Sequence, residues 1–171
     1  MQLPSDALVL LIGAPASGKS TFARNHFAED TIISSDSLRS SLAAGAPGNW
    51  PNDVFAPMHA LVEKRLAAGL LTVVDATNTD WMRRSELIRT ARKHGRAAVA
   101  IVFNLPLELC LAQNGNRSDA VPASVIRRQV ADLERDLDRL DLEGFSSVYV
   151  LRSTADVRHA TVAVEGPGQG Q

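Results

Sequence analysis

Cysteine is nearly absent from this chain, which carries a single one, Cys110, among its 171 residues. A lone cysteine excludes a disulfide framework, and its apolar surroundings predict a small buried side chain in a reducing compartment. An excess of charge of one sign is lacking too, because 18 basic and 19 acidic residues leave a formal net charge of -1. No global field therefore attracts nucleic acid, and any contact with it must be local.

Long apolar runs are also missing, and none reaches the length that spans a membrane. The apolar run at residues 7–12 is short and has no basic segment before it, so it does not fit a signal peptide. We therefore expect a cytoplasmic protein with no membrane partner. The length is that of one ordinary domain, which we place at residues 1–165, followed by a disordered tail at 166–171. The oligomeric state stays open.

The strongest motif begins where the apolar run ends. The segment GAPASGKST at positions 13–21 fits the spacing G-x-x-x-x-G-K-[ST] of a phosphate-binding loop between a strand and a helix. Backbone N–H groups can wrap a polyphosphate only where side chains do not obstruct them, which accounts for Gly13 and Gly18. Lys19 is expected to reach the β and γ phosphates, and the N-terminus of the following helix faces the anion. Ser20 is placed to ligate Mg²⁺.

A chance glycine turn would explain the two glycines but not the agreement of motif, strand and helix. The motif therefore predicts a site for ATP or GTP with Mg²⁺. The residues assigned to this site are Gly13, Ala14, Pro15, Ala16, Ser17, Gly18, Lys19, Ser20 and Thr21.

Apolar segments alternate with helical patterns along the chain. Strands are predicted at 7–12, 31–34, 70–74, 97–103 and 147–151, with a further edge strand at 160–164. The last long helix, at 123–142, is amphipathic, and we interpret its charges as a solvated face, with contact between its first turn and the nucleotide as the alternative. This alternation indicates an α/β fold of the three-layer, nucleoside-kinase-like P-loop NTPase type: a mainly parallel five-stranded sheet with helices on both faces. Ligands of such sheets bind at the carboxyl ends of the strands.

Two aspartates follow predicted strands and are candidates for the base or positioning residue that a phosphoryl transfer requires. Asp36 would alternatively cap a helix, whereas Asp75 would alternatively be a Walker-B-like aspartate. Spacing does not choose between them.

Three blocks of the sequence, GAPASGKSTFAR, ISSDSLR and TVVDATNTDWMRR, resemble the kinase domain of the bacterial polynucleotide kinase-phosphatase RNA-repair enzymes. More distantly, they are similar to the phage polynucleotide 5′-kinase. The similarity continues through AIVFNLPLELCL and EGFSSVYVLRS, so it extends from Ala7 to about Ser153. The combination of S-D-x-x-R with D-x-T-N is more specific than the phosphate loop, which many NTPases share.

The resemblance implies a stand-alone kinase module that moves the γ-phosphate of ATP to the 5′-hydroxyl end of RNA or DNA. In this family the aspartate matching Asp36 is the general base, and the arginine matching Arg39 holds the acceptor phosphate. A spacing of three on a helix places both side chains on one face. Asp75 is then expected to shape the site, supporting the Mg²⁺ waters or Asn78. Arg84 matches a family arginine or lies on the helix surface.

The segment that would cover the ATP phosphates departs from the family. Related domains carry several arginines there, whereas this chain has Gln113, Gly115 and Ala120 at such positions. Arg117 remains, and we assign it a catalytic role. The loss predicts slow turnover, and the polar segment 114–122 is expected to be mobile.

Two other functions stay open. One is a small-molecule kinase for a sugar acid or an antibiotic hydroxyl, because the fold does not fix the acceptor. The other is a nucleotide-binding regulatory module without transferase activity. Trp50 would stack on an acceptor base or pack against the domain.

Overall fold

The structure, a computed structural model, describes residues 1–45 and 54–166. Trp50 and the loop around it lie outside the described residues, and so do residues 167–171 of the predicted tail. No helix in the described ranges is both long enough and apolar enough to cross a membrane.

Strands and helices alternate through the described part of the chain. The strands are β1 (Gln2–Pro4), β2 (Leu8–Gly13), β3 (Ile32–Ser34), β4 (Thr72–Asp75), β5 (Ala98–Phe103), β6 (Ser147–Leu151) and β7 (Ala163–Glu165). The α-helices are α1 (Lys19–His26), α2 (Ser35–Gly45), α3 (Phe55–Ala67), α4 (Trp81–Lys93), α5 (Leu107–Gly115), α6 (Ala123–Asp136) and α7 (Thr154–His159). Short 3₁₀ turns occupy Glu29–Thr31 and Leu137–Leu142.

The main sheet has five strands in the order β3-β4-β2-β5-β6. All its neighbours pair in parallel, and every residue of the central strands β2 and β5 is buried. Near-continuous apolar strands are what a parallel sheet covered on both faces requires. The predicted α/β fold and its five-stranded sheet are confirmed.

Side chains of β2 alternate between two apolar layers. Leu8, Leu10 and Ile12 face a layer with residues of α3, α4 and α6. Val9 and Leu11 face the opposite layer, which contains Phe22 and Phe27 from α1 and its end. The sheet therefore has helices on both faces, and its carboxyl edge is left to the loops. The predicted burial of Cys110 is confirmed, in a small third cluster beside Ala14.

Four elements differ from the sequence predictions, and the first is β1, since no strand is predicted at residues 2–4. The late strand is Ala163–Glu165, and it pairs with β1 in a separate two-stranded parallel sheet instead of joining the edge of the main sheet. The amphipathic segment remains α-helical only to Asp136 and continues as a 3₁₀ turn. Helix α7 has no counterpart among the predicted helices, and a capping box between Ser153 and Asp156 begins it.

Candidate functional site

The strand order creates a crevice at the carboxyl edge of the sheet. The chain leaving β2 crosses to β3 on one side, and the chain leaving β5 leads to β6 on the other side. Loops that diverge in this way leave a gap above the strand ends, where ligands of parallel sheets bind. The segment directly after β2 is the predicted phosphate loop.

The phosphate loop has the tight backbone that its glycines predict. Gly18 has φ +92° and Ala16 has φ +60°, both in the left-handed region. At position 13 a Cβ would lie 2.8 Å from Oγ of Ser17 and 3.0 Å from Cβ of Phe103, so only glycine fits between the loop and β5. Consecutive turns of this kind point backbone N–H groups into one concavity that suits an anion.

The loop residues divide into an outer and an inner set. The residues lining the open cleft are Pro15, Ala16, Gly18, Lys19, Ser20 and Thr21. The residues buried behind them are Gly13, Ala14 and Ser17.

Lys19 lies inside the loop. Its Nζ donates to the carbonyl oxygen of Ala14 at 2.7 Å and to Oγ of Ser17 at 3.2 Å. Burial lowers the pKa of Lys19 to about 8, against the opposing attraction of the Asp75 carboxylate. The ammonium is thus held where the loop closes around a phosphate, in an environment that disfavours its charge until an anion arrives.

Asp36 and Arg39 lie together at the start of α2. Nη1 of Arg39 donates to Oδ1 of Asp36 at 3.0 Å, and both side chains are more than half exposed to the cleft. The backbone N–H of Ser37 donates to Oγ of Ser34 at 3.3 Å, so Ser34 supplies the cap hydrogen bond and Asp36 sits within the helix. The Asp36 charge also acts on Lys19 and on Arg117. The structure therefore brings these four predicted side chains to one cleft.

Asp75 ends β4 and is almost fully buried at the cleft. In the described part of the chain its carboxylate forms no hydrogen bond, which leaves its oxygens available to a ligand. Together with the hydroxyl of Ser20 it supplies the kind of oxygen ligands that Mg²⁺ takes beside substrate phosphates.

Asn78 ties the strand ends together. It has φ +49°, and its Nδ2 donates to the carbonyl oxygen of Leu11 at 2.8 Å. The backbone N–H of Gly13 donates to the Thr77 carbonyl at 2.9 Å. These bonds fix the segment after β4 against the base of the phosphate loop. Asn78 therefore positions the loop by bonding to the backbone of β2.

Arg84 is fully buried, and its predicted alternative as a helix-surface residue is wrong. Its Nε and Nη2 donate to the Glu143 carboxylate at 2.8 and 2.5 Å, and Nη2 also donates to Asp136 at 3.2 Å. Nη1 donates to the Asn78 carbonyl at 3.0 Å. Although burial alone would lower it, these two carboxylates raise the pKa of Arg84 above its ordinary value. The guanidinium joins the end of α6 to the segment after β4.

Residues 114–122, the segment predicted to cover the ATP phosphates, form the lid. Hydrogen bonds between Asn114 and Val121 hold its two ends together. The side chain of Asn114 is buried, and its Nδ2 donates to the Val121 carbonyl at 2.9 Å while its Oδ1 accepts from the Val121 N–H at 3.0 Å. Arg117 and Gln113 line the cleft. Nη2 of Arg117 donates to Asp119 at 2.7 Å and Nε donates to the same carboxylate at 3.1 Å. The expected mobility of this segment stays a prediction.

The cleft between described residues has a volume of about 2120 Å³, larger than the usual small-molecule pocket. One wall is the polar face of α6, whose charges are predicted to form a solvated face. Every third or fourth residue of this helix lines the cleft, a signal that the spacing already contained. These residues are Val125, Arg128, Gln129, Asp132, Arg135 and Asp136. Oε1 of Gln129 is buried with no hydrogen-bond partner in the described ranges.

Four arginines that line the cleft each have an aspartate within salt-bridge distance. These pairs are Arg39–Asp36 at 3.0 Å, Arg83–Asp80 at 3.9 Å, Arg117–Asp119 at 2.7 Å and Arg135–Asp132 at 3.0 Å. The cleft thus presents guanidinium groups without a large excess of positive charge.

Comparison with known proteins supports a nucleotide-binding fold. A family model described as an AAA domain matches residues 8–140. The chain is 28% identical over 160 residues to transcription factor bHLH140 of Arabidopsis thaliana, covering 90% of this chain and 17% of that protein. It is 28% identical over 127 residues to the L-seryl-tRNA(Sec) kinase of Methanococcus maripaludis, covering 70% of this chain and 49% of that protein. The chain therefore spans half or less of the length of these relatives.

Solved structures with the same fold include kinases. Kti12 of Chaetomium thermophilum, bound to ADP-AlF3, superposes with a TM-score of 0.59 at 18% identity, covering 88% of this chain and 93% of that one. A gluconokinase of Sinorhizobium meliloti gives a TM-score of 0.57 at 18% identity, covering 91% and 87%. A chain of a Pnkp1/Rnl/Hen1 complex gives 0.50 at 24% identity, covering 71% and 42%. At these identities the likeness shows the P-loop kinase fold and leaves the acceptor open.

Proposed function

Since this chain belongs to the AAA domain family, we propose that it binds ATP in the phosphate loop and transfers the γ-phosphate to the 5′-hydroxyl end of RNA or DNA. The observation that carries the proposal is the Asp36–Arg39 pair, which lines the same cleft as Lys19. A hydroxyl acceptor needs a carboxylate to take its proton, and a phosphate next to that hydroxyl needs a guanidinium. One terminal nucleotide presents both groups.

The donor side is built from the phosphate loop. Backbone N–H groups and Lys19 hold the β and γ phosphates, while Ser20 and Asp75 are the groups that would hold Mg²⁺. Mg²⁺ held there would neutralise charge on the phosphates. Arg117 exchanges its contact with Asp119 for the transferred phosphoryl group as charge develops there.

The acceptor side is built from α2. Asp36 accepts the proton of the attacking 5′-hydroxyl as the new O–P bond forms and the bond to the β-phosphate oxygen breaks, with ADP as the leaving group. Arg39 holds the acceptor phosphate and thereby fixes the hydroxyl in line with the γ-phosphate. Residence in the cytoplasm stays a prediction.

A small-molecule kinase is the second candidate, because a gluconokinase shares this fold. A neutral acceptor would give Arg39 no phosphate to hold. The requirement for Arg39 therefore separates the oligonucleotide from an uncharged acceptor, and the acceptor panel below separates it from a sugar acid, whose carboxylate would also bind a guanidinium.

The test is transfer of labelled γ-phosphate from ATP to a 5′-hydroxyl oligonucleotide, measured beside a panel of sugar acids and aminoglycosides. Asp36→Asn should lower kcat roughly 10²-fold or more, because the amide does not accept the proton. Arg39→Ala should raise the KM for the oligonucleotide by about tenfold to a hundredfold, since a charge-assisted hydrogen bond is lost. The KM for ATP should change little in either variant.

Asp30→Asn and Arg89→Ala are matched controls, because both side chains are exposed and neither lines the cleft. They should behave like the parent protein. Phosphorylation of a sugar acid with oligonucleotides left untouched would replace the proposal with the second candidate. ATP binding without transfer to any acceptor would point to a regulatory module.

A further inference from the structure

Trp81 is a large aromatic side chain that is mostly exposed to solvent. It is the first residue of α4, it is 58% exposed, and it lines the cleft. The buried face of α4 includes Arg84 and Ile88, which follow Trp81 by three and seven positions. Trp81 is therefore nearly in line with the face that packs on the sheet, but it lies at the end of α4 that borders the cleft, above the carboxyl edge of the sheet.

The backbone on both sides of Trp81 is held firmly. Oδ1 of Asp80 accepts from the Met82 N–H at 2.9 Å and caps the helix. One turn later Arg84 is buried and donates to the Asn78 carbonyl. Beside them, Cζ of Arg83 lies 4.8 Å from the centre of the Phe55 ring. The backbone that carries the indole is thus fixed, which lowers the entropy cost of using the indole as a contact surface.

The topology places this indole at the acceptor side. β4 lies between β3 and β2, so the segment that follows β4 lies between α2 and the phosphate loop. α2 carries Asp36 and Arg39, and the phosphate loop carries Lys19. Trp81 therefore lines the same cleft as the groups assigned to the hydroxyl and its phosphate, at the end of the segment that lies between them and the phosphate loop.

We propose that Trp81 stacks on the nucleobase of the 5′-terminal nucleotide of the acceptor. This inference rests on the proposed function and adds the base to the hydroxyl and phosphate already assigned. Aromatic faces bind bases in single strands with little dependence on base identity. A sugar acid has no aromatic face, so Trp81 would select a nucleotide acceptor over a sugar acid.

The experiment compares two 5′-hydroxyl oligonucleotides that differ only in the first nucleotide, which is intact in one and abasic in the other. The parent protein should prefer the intact acceptor by roughly tenfold in kcat/KM. Trp81→Ala and Trp81→Leu should lose that preference, and Trp81→Phe should keep most of it because it retains an aromatic face. The KM for ATP should stay constant.

Met82→Ala is the matched control, because Met82 is 59% exposed in the same turn and does not line the cleft. It should keep the full preference. If the parent phosphorylates both acceptors equally, or if Trp81→Leu keeps the preference, the stacking role is overturned while the kinase proposal stands. If neither acceptor is phosphorylated, both proposals fail together.

Discussion

Lys19 is the residue whose chemistry depends most on its surroundings. Its ammonium donates to the Ala14 carbonyl and the Ser17 hydroxyl inside a buried loop, and burial lowers its pKa to about 8 from an ordinary 10.5. Polyphosphate oxygens would replace these weak partners with strong negative charge. Binding of ATP therefore favours the protonated form.

The sign of this coupling gives a pH prediction. Between pH 8 and 10.5 a large fraction of the Lys19 side chains is deprotonated in the ATP-free protein. ATP binding should therefore be accompanied by proton uptake, and the affinity for ATP should fall as the pH rises through about 8. Titration calorimetry at pH 8.5 in two buffers of different ionisation enthalpy measures the uptake directly. Lys19→Ala should bind ATP weakly and without that uptake. Equal heats in both buffers for the parent protein would show that Lys19 is already charged in the free loop.

Single residues differ in how far the sequence predicts them. Gly13 and Gly18 follow from the motif, because a phosphate loop has few backbone solutions. Arg84 did not follow, since its neighbours in sequence are polar and its partners Asp136 and Glu143 lie 52 and 59 positions away. A buried arginine is set by tertiary contacts that local spacing does not contain.

At the scale of the element, the lid between α5 and α6 holds the one retained arginine. Arg117→Ala should lower the single-turnover rate roughly 10²-fold to 10³-fold, because it removes a charge that contacts the transition state. Arg127→Ala is the control, since that side chain is exposed and does not line the cleft. Rapid-quench measurement of labelled oligonucleotide supplies the rates. Equal rates for both variants would remove Arg117 from the mechanism.

Substitutions in the same lid test whether the missing arginines limit the rate of phosphoryl transfer. Gln113 lines the cleft, whereas Gly115 does not, although a Cβ at position 115 meets no atom within 4 Å. Gln113→Arg should therefore raise the rate, and Gly115→Arg should be tolerated without raising it. Single-turnover rates with saturating ATP distinguish the two. A gain in the Gly115 variant alone would mean that the lid closes in a different arrangement.

Elements with strong patterns are predicted well and short ones poorly. The central strands β2 and β5 carry nearly uninterrupted apolar runs and the first part of α6 has a clear helical spacing, so local sequence is enough to find them. β1 has three residues, one of them a proline, and its partner β7 lies far along the chain. Nothing in either segment alone indicates that β1 and β7 pair. The local sequence therefore predicts a strand near residues 160–164 but not the sheet to which it belongs.

At the scale of the whole molecule, Arg84 links α4, α6 and the turn after it. Arg84→Met should destabilise the protein by about 3–5 kcal/mol, because it leaves the largely buried Glu143 carboxylate unpaired and removes one of the two arginine partners of Asp136. Adding Asp136→Asn and Glu143→Gln should recover much of that loss, since the neutral groups are cheaper to bury. Urea unfolding measures both, with Arg89→Met on the exposed side of the same helix as the control. A triple variant no more stable than Arg84→Met would contradict this account.

The paired arginines of the cleft change how the protein responds to its medium. Each guanidinium already carries an internal counterion in the neighbouring aspartate. An incoming phosphate displaces that carboxylate, so fewer ions are released from solution than the number of arginines would suggest. The release of solution ions is what makes nucleic-acid affinity fall with salt. A nucleic-acid strand bound in this cleft would therefore lose less affinity as the ionic strength rises. Its affinity at low ionic strength would be lower than that of a cleft with unpaired arginines.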